Sequence, residues 1–432
     1  MLRTHYSSHV TQKLTGKTVT IAGWVQKIRD LGKVKFIILR DREGEIQVTA
    51  KKGQTDEKVF SVIGELTRES VVSVRGKVEP AKNTPNNVEI LPEEIVLLAK
   101  SEAPLPLETD PNIKSEIETR INYRFIDLRK KEVQAIFRIK DVIHRSFVRY
   151  FEEHGFTLVH TPCIVAAATE GGTNLFPISY FEREAFLSQS PQLYKQMLMA
   201  SGLDKVLIVT PVFRAEEHNT TRHLNESTQM DIEVAFVEDE EDALRYMEGA
   251  LHYIYTEVNK LCKPQLEILR KKLEVPKLPF KRLTYNDALA LLAKDGIKIK
   301  WGDDLTPEAE KSICKHFSPV IITKWPIDAR AFYCMVEPSN TKICRGYDVL
   351  LNGTEILSGA QREHDYSRLV KEMKRRKMNP KNFTFYLDAF RFGMPPHAGW
   401  SFGLERLTTM ILQLPNIRET TLWPRDRTRL TP

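Results

Sequence analysis

The chain has 432 residues, is 41% hydrophobic and 28% charged, and carries a formal net charge of +7. These values are ordinary for a soluble globular chain of two domains or a little more, and no apolar run is long enough to span a membrane. The cysteines (Cys163, Cys262, Cys314, Cys334, Cys344) are odd in number and never form CxxC, which argues against a disulfide framework or structural zinc and for a reducing, cytoplasmic setting.

The N-terminus, MLRTHYSSHV, lacks the apolar core of a secretory signal. Strands are expected at Thr18–Arg29, Lys33–Asp41 and Glu45–Ala50, then a short helix at Asp56–Leu66, then strands at Ser70–Val78 and Asn87–Leu98. That order is the order of an OB-fold barrel, a common module for single-stranded nucleic acid. Trp24 reads as barrel core. Phe36, set among Lys33, Lys35 and Arg40, reads instead as an exposed stacking platform, and Gln47 is at best a weak base-reading candidate.

Residues 101–111, SEAPLPLETDP, form a stiff proline- and acid-rich boundary, and 114–131 is charged and partly helical. The domains are therefore expected at 1–102 and 132–432, with a linker or hinge at 103–131. Glu132–His154 has the apolar periodicity of a long amphipathic helix ended by Gly155, and Phe156–Pro162 follows as a strand. Ala166–Thr173 is small and glycine-rich: either a plain loop or a lid carrying Glu170. In Ser188–Gln196, Gln192 and Lys195 lie one helical turn apart on one face.

Thr210–Phe236 reads as an antiparallel hairpin with a long polar loop. Arg214, in FRAEE, suits a two-pronged clamp on phosphate or carboxylate, although a self-paired strand end explains it as simply. Asp239–Lys260 is a helix, and a helical insertion at about 284–320 carries no usable motif. Strands resume at Ile321–Pro326 and Ala331–Val336. Asn352-Gly353 is a hairpin turn, with Glu355, Ser358 and Arg362 on the strand that follows. Near the end, Gly403-Leu404-Glu405-Arg406 opens an apolar helix, a reasonable cradle for phosphate.

The ordered pair FRAEE…RHxxE (Arg222, His223, Glu226) and GLER resembles motifs 2 and 3 of the class II aminoacyl-tRNA synthetases, and the long helix with its strand and Pro162 resembles motif 1, their dimer-forming element. QSPQLYKQ resembles the aspartyl-tRNA synthetases, in the short type found in archaea and eukaryotes. The resemblance covers nearly the whole chain. It implies an α+β protein: a five-stranded OB-fold barrel that reads the anticodon, then a class II antiparallel sheet flanked by helices. It implies activation of L-aspartate by ATP, with Mg2+, and transfer to tRNA-Asp, by a cytoplasmic homodimer with no membrane attachment.

By the same resemblance Arg214, Glu355 and Arg406 are catalytic. Glu170, Gln192, Lys195, Arg214, Ser358 and Arg362 hold aspartate, with Lys195 and Arg362 as two cations on its acidic side chain. Arg214, Glu216, Arg222, His223, Leu224, Glu355, Gly403, Leu404, Glu405 and Arg406 hold ATP. Glu355 and Ser358 hold the metal, and Phe36, Gln47, Pro85 and Glu89 contact the anticodon. Relatives usually carry glycine where Ala360, Ala398 and Ser401 stand, so slight crowding of the ATP site is expected. Pro85 points to a preference for tRNA-Asp over tRNA-Asn, while Gln26 fits neither pattern. The alternatives are a non-catalytic RNA-binding paralogue, an asparaginyl enzyme, and an asparagine-making relative, which would lack the barrel.

Overall fold

The computed structural model describes residues 2–110, 112–166, 174–217 and 220–432, which divide into two units, 1–108 and 109–432. In the first unit, strands β1 (Thr18–Asp30), β2 (Val34–Arg40), β3 (Glu45–Lys51), β4 (Val71–Pro80) and β5 (Val88–Ala99) close a barrel in the order β1-β2-β3-β5-β4, with helix α1 (Glu57–Glu65) between β3 and β4. This is the OB-fold. Its core alternates along each strand: Val19, Ile21 and Val25 point inward from β1. Trp24 lies between the inward positions 23 and 25, so it is half-buried on the outer face and is not core, contrary to expectation.

The second unit opens with α2 (Ile117–Asn122), α3 (Arg124–Asp127) and α4 (Lys131–Glu153). Residues 109–131, expected to belong to a linker, are built into this unit. The fully buried Arg124 donates to Asp127 (2.9 Å) and to the carbonyls of Arg418, Thr421 and Leu422 (2.7, 2.8 and 3.1 Å). The strand expected at 156–162 is only β6 (Thr157–Leu158). A small sheet of β7 (Ile164–Val165), β8 (Pro177–Tyr180) and β9 (Arg183–Leu187) precedes α5 (Gln192–Met199). Then come β10 (Lys205–Phe213), β11 (Glu226–Ala235), α6 (Glu240–Leu261), α7 (Lys263–Ile268), β12 (Lys281–Thr284), α8 (Tyr285–Lys294), α9 (Pro307–His316) and β13 (Val320–Thr323).

Residues 331–336 do not join the main sheet as expected. β14 (Val336–Glu337) pairs with β15 (Asn340–Cys344) in a separate ribbon. β16 (Gly346–Leu351) and β17 (Thr354–Gln361) meet at Asn352-Gly353, both at positive φ (50° and 86°), as a tight hairpin turn demands. α10 (Tyr366–Arg375), α11 (Thr384–Arg391), β18 (His397–Gly403) and α12 (Leu404–Ile411) complete the unit. The main sheet runs β12-β13-β16-β17-β18-β11-β10-β6, antiparallel except for its two edge pairings.

One face of this sheet is covered by α4 and α6. Ile139, Ile143, Phe147 and Phe151 of α4 and Met247, Leu251, Ile254 and Val258 of α6 pack on Met230, Ile232, Trp400 and Phe402. The helical period places these side chains on one stripe, and burying that stripe holds the helices to the sheet. The opposite face is left for polar side chains.

Candidate active site

That opposite face carries a cavity of about 320 Å3. Period-two alternation along β11 builds its floor. Met230, Ile232 and Val234 enter the core, so Gln229, Asp231 and Glu233 point the other way. On the neighbouring strand β18, Trp400 and Phe402 face the core and Ser401 lines the cavity.

At one end α5 brings in Lys195 and Gln192, both buried. The Lys195 ammonium donates to Asp231 Oδ1 (2.8 Å) and the Trp400 carbonyl (3.2 Å), and lies 3.5 Å from Glu233 Oε2. Arg362, just past β17, grips Glu233 with two nitrogens (2.9 and 3.3 Å) and donates to the Gly399 carbonyl (2.9 Å) and to Gln192 Oε1 (3.4 Å). Ser401 Oγ donates to the other oxygen of Asp231 (2.8 Å). Burial pushes the Glu233 carboxyl up, but Arg362 and then Lys195 outweigh it and hold it below the usual carboxylate range.

The two cations thus share one cavity, with Glu233 reaching both. The pocket is not simply cationic, however, because Asp231 and Glu233 match the two positive charges. Sequence reasoning missed both acids. Their signal was the alternation in QMDIEV, which marks them as facing away from the core without naming their partners. Gly399 is required here, because a Cβ would run into the Glu233 carboxylate and the Ile232 carbonyl. Glu170 lies outside the described residues.

At the other end stand Arg214, Glu216, Arg222, His223, Leu224 and Arg406. The Arg214 backbone is tied to the returning strand, its N–H donating to the Asn225 carbonyl (2.8 Å). Arg222 reaches Glu310 of α9 (3.3 Å) and the Gly353 carbonyl (3.4 Å), so the insertion thought to carry no motif supplies a carboxylate partner for a cavity arginine. His223 is held below its usual pKa, first by burial and then by Arg406, Arg222 and Arg214, with Glu216 opposing. Arg406 donates to the Glu355 carbonyl (3.2 Å).

The Glu355 carboxyl is pushed up to about 8, mainly by burial and then by Asp348, with Arg406 and Arg330 opposing. Burial also raises Asp348, which Arg330 pairs with through two nitrogens, one at 2.9 Å. Arg330 stacks 3.8 Å above the Trp325 ring and donates to Ser358 Oγ (3.3 Å). Neither Arg330 nor Asp348 was singled out from sequence. Two buried carboxyls both pushed up, Glu355 partly by Asp348, suit a divalent cation, which would offset their burial. Among the described residues no three His, Cys, Asp or Glu side chains form a metal cage.

Two expectations need correction, those for Leu404 and Ala398. Leu404 is buried in the helix–sheet core and lies outside the cavity lining. Glu405 borders the cavity, but its carboxylate binds Lys140 (2.8 Å) and accepts from the Thr228 N–H (2.9 Å), tying α12 to α4 and β11. Ala398 is core and cannot crowd a nucleotide, whereas Ala360 and Ser401 do line the cavity. Gly403 borders it as well, and a Cβ there would meet only ordinary contact with Arg406, at 3.7 Å. Gln229, also missed, has a buried carbonyl oxygen without a hydrogen-bond partner among the described residues.

On the barrel, strand register puts Phe36 opposite Thr49, Ile38 opposite Gln47, and Gln47 beside Glu89, so Phe36, Gln47 and Glu89 share the outer face. Gln47 donates to Glu89 (3.1 Å). Pro85 opens a short turn, Pro85–Asn87, which Asn86 ties down by donating to the Ser7 carbonyl (2.9 Å). Gln26 is engaged with Glu45 (3.1 Å). Of the arginines near the end, Arg418 and Arg429 are paired with Glu118 and Arg427 lies 3.7 Å from Glu217.

Residues 116–427 match the family model described as tRNA synthetases class II (D, K and N), and residues 19–98 match that of the OB-fold nucleic acid binding domain. The chain is 48% identical over 438 residues, covering both chains fully, to the Aspartate–tRNA(Asp) ligase of Thermococcus kodakarensis. It is 48% identical over 431 residues, covering 100% of this chain and 98% of the relative, to the Aspartate–tRNA(Asp/Asn) ligase of Methanocaldococcus jannaschii. Among solved structures, the asparaginyl-tRNA synthetase of Pyrococcus horikoshii with asparaginyl-adenylate superposes with a TM-score of 0.95 at 32% identity, over 100% of both chains. The aspartyl tRNA synthetase of Entamoeba histolytica superposes at 0.87 with 33% identity, over 98% of this chain and 91% of the other. The fold is therefore common to both amino-acid specificities, and the sequence likeness separates them: the chain belongs to the class II tRNA synthetases of the D, K and N group and, within it, to the aspartate–tRNA ligase family.

Proposed function

We propose that this chain activates L-aspartate with ATP and transfers it to the 3′ end of tRNA-Asp. The observation that carries the choice of amino acid is the meeting of Lys195 and Arg362 in one buried pocket. Both groups are donors only, so an aspartate carboxylate can accept from each, whereas the amide N–H of asparagine would set a donor against a donor. In the first step an aspartate α-carboxylate oxygen attacks the α-phosphorus and the bond to pyrophosphate breaks. In the second a terminal ribose hydroxyl of tRNA attacks the adenylate carbonyl and AMP leaves.

Arg214 holds the α-phosphate and the substrate carboxylate, placing the two reacting groups together. Gln192, with Glu170, receives the ammonium group. Arg406 and Arg222 take the outer phosphates, and Glu216, His223 and Leu224 frame the nucleotide. Glu355 and Ser358, beside Asp348, would hold magnesium, which supplies positive charge for the phosphates. Phe36, Gln47, Glu89 and the Pro85 turn face the anticodon. A second copy of the chain packs along α4 and β6, where Val142, Val148, Leu158 and Leu261 line an apolar hollow. Among the described residues no helix is long and apolar enough to cross a membrane.

Pyrophosphate exchange into ATP tests the reading. Exchange should require aspartate, and exchange driven equally by asparagine would sink it. Relatives named for both tRNA-Asp and tRNA-Asn keep a second acceptor in view. The stiff Pro85 turn favours tRNA-Asp alone, and equal charging of the two tRNAs would refute that preference.

A further inference from the structure

Behind the amino-acid pocket runs a chain of buried hydrogen bonds that the reaction scheme does not use. His397, fully buried at the start of β18, has its Nδ1 2.9 Å from the Pro395 carbonyl. A carbonyl has no proton to give, so Nδ1 carries the ring hydrogen and Nε2 of the neutral ring is an acceptor. The Gln196 amide nitrogen, 3.1 Å away, must therefore be the donor to it. That orientation turns Gln196 Oε1 toward the Tyr386 hydroxyl (3.2 Å) and the Gln192 amide nitrogen (2.9 Å), both donors. Gln192 is then left with its carbonyl toward Arg362 (3.4 Å) and the cavity.

We propose that His397 is a positioning residue for the amino-acid substrate, acting through Gln196 and Gln192 to fix which end of the Gln192 amide faces the pocket. The inference rests on the reading that Gln192 meets the substrate ammonium, which a carbonyl attracts and an amide N–H repels. Burial holds the His397 ring down to about 4, so it stays neutral and the polarity of the relay is maintained at neutral pH. His397, Gln196 and Tyr386 are fully buried, so a reversed Gln196 amide has no water to turn to, and reversing it would set a donor against the Gln192 amide nitrogen.

The test is steady-state pyrophosphate exchange by the full-length protein with His397→Leu, His397→Gln and Gln196→Met. Glutamine can place an acceptor where Nε2 sits; leucine cannot. His397→Leu should raise KM for aspartate about tenfold or more, with KM for ATP and kcat within about twofold, and His397→Gln should restore most of it. Gln196→Met cuts the relay with the ring in place and should give the same aspartate defect. The double variant should be no worse than either single one. Equal defects in His397→Leu and His397→Gln, parallel rises in both KM values, or additive single effects would each overturn the inference in favour of plain packing. Failure of the unaltered protein to exchange with aspartate overturns the underlying reading. Normal exchange by the unaltered protein with an unmoved KM in His397→Leu overturns the inference alone.

Discussion

At the scale of single residues the amino-acid pocket is two cations interlocked with two anions. Lys195 is balanced by Asp231 and Arg362 by Glu233, all four buried. Removing one partner leaves its mate charged and dry, which typically costs about 3–5 kcal/mol. Lys195→Met is therefore expected to lower unfolding free energy by roughly that amount in urea titrations and to abolish aspartate-dependent exchange. Adding Asp231→Leu should recover much of the stability and none of the activity. Recovery of both would show that Lys195 serves only as a structural partner. His397 also makes a thermodynamic statement. Below pH ~6.5 the unfolded chain binds a proton on this histidine, whereas the folded chain does so only near 4. The unfolded state binds more protons between those values, so stability falls as the pH drops through that window, by about 3 kcal/mol over its full width. Denaturant titrations of the unaltered protein and His397→Gln at pH 7 and 5 should show the larger acid loss in the former.

At the scale of elements, strands were the most legible part of the sequence. The barrel strands lie within a residue or two of expectation, because alternation such as Ile21, Gly23, Val25 leaves little freedom of placement. Trp24 was misplaced because its size argued for burial while its parity argued against it, and parity decides. In the site, side chains carried by recognisable motifs, such as Arg214, Lys195 and Arg406, were readable in advance. Asp231, Glu233, Asp348 and Arg330 were not, because each matters through a partner brought near only by strand pairing. Glu310 was missed for a related reason: α9 looks like an ordinary amphipathic helix until it is set beside Arg222. The barrel's outer face gives its own prediction. A stacking aromatic is worth about 1–3 kcal/mol per base, so Phe36→Ala should cut kcat/KM for tRNA charging roughly 10–100-fold. Pyrophosphate exchange, which needs no tRNA, should be unchanged; a fall in exchange would mean that the substitution had damaged the fold.

At the scale of the whole molecule, each unit has its own hydrophobic core: barrel residues such as Ile21, Ile37 and Val74 in the first, the helix–sheet interface in the second. Separate cores imply separable activities. A 109–432 fragment is expected to keep aspartate-dependent exchange within a few-fold while losing most tRNA charging, measurable by the two assays side by side. Loss of exchange in a fragment that still melts cooperatively would show that the barrel contributes to activation itself.

β11 is an interior strand with helices against Met230, Ile232 and Val234, while Gln229, Asp231 and Glu233 turn to the polar side that carries the cavity. Gaining or losing one amino acid within it would swap these two sets wholesale, driving acids into oil and greasy chains into the polar cavity. Length changes in descendants of this gene should therefore gather in the turn before Glu226 or beyond Phe236, and a deep-scanning library of single-codon insertions should show Glu226–Ala235 as a silent gap.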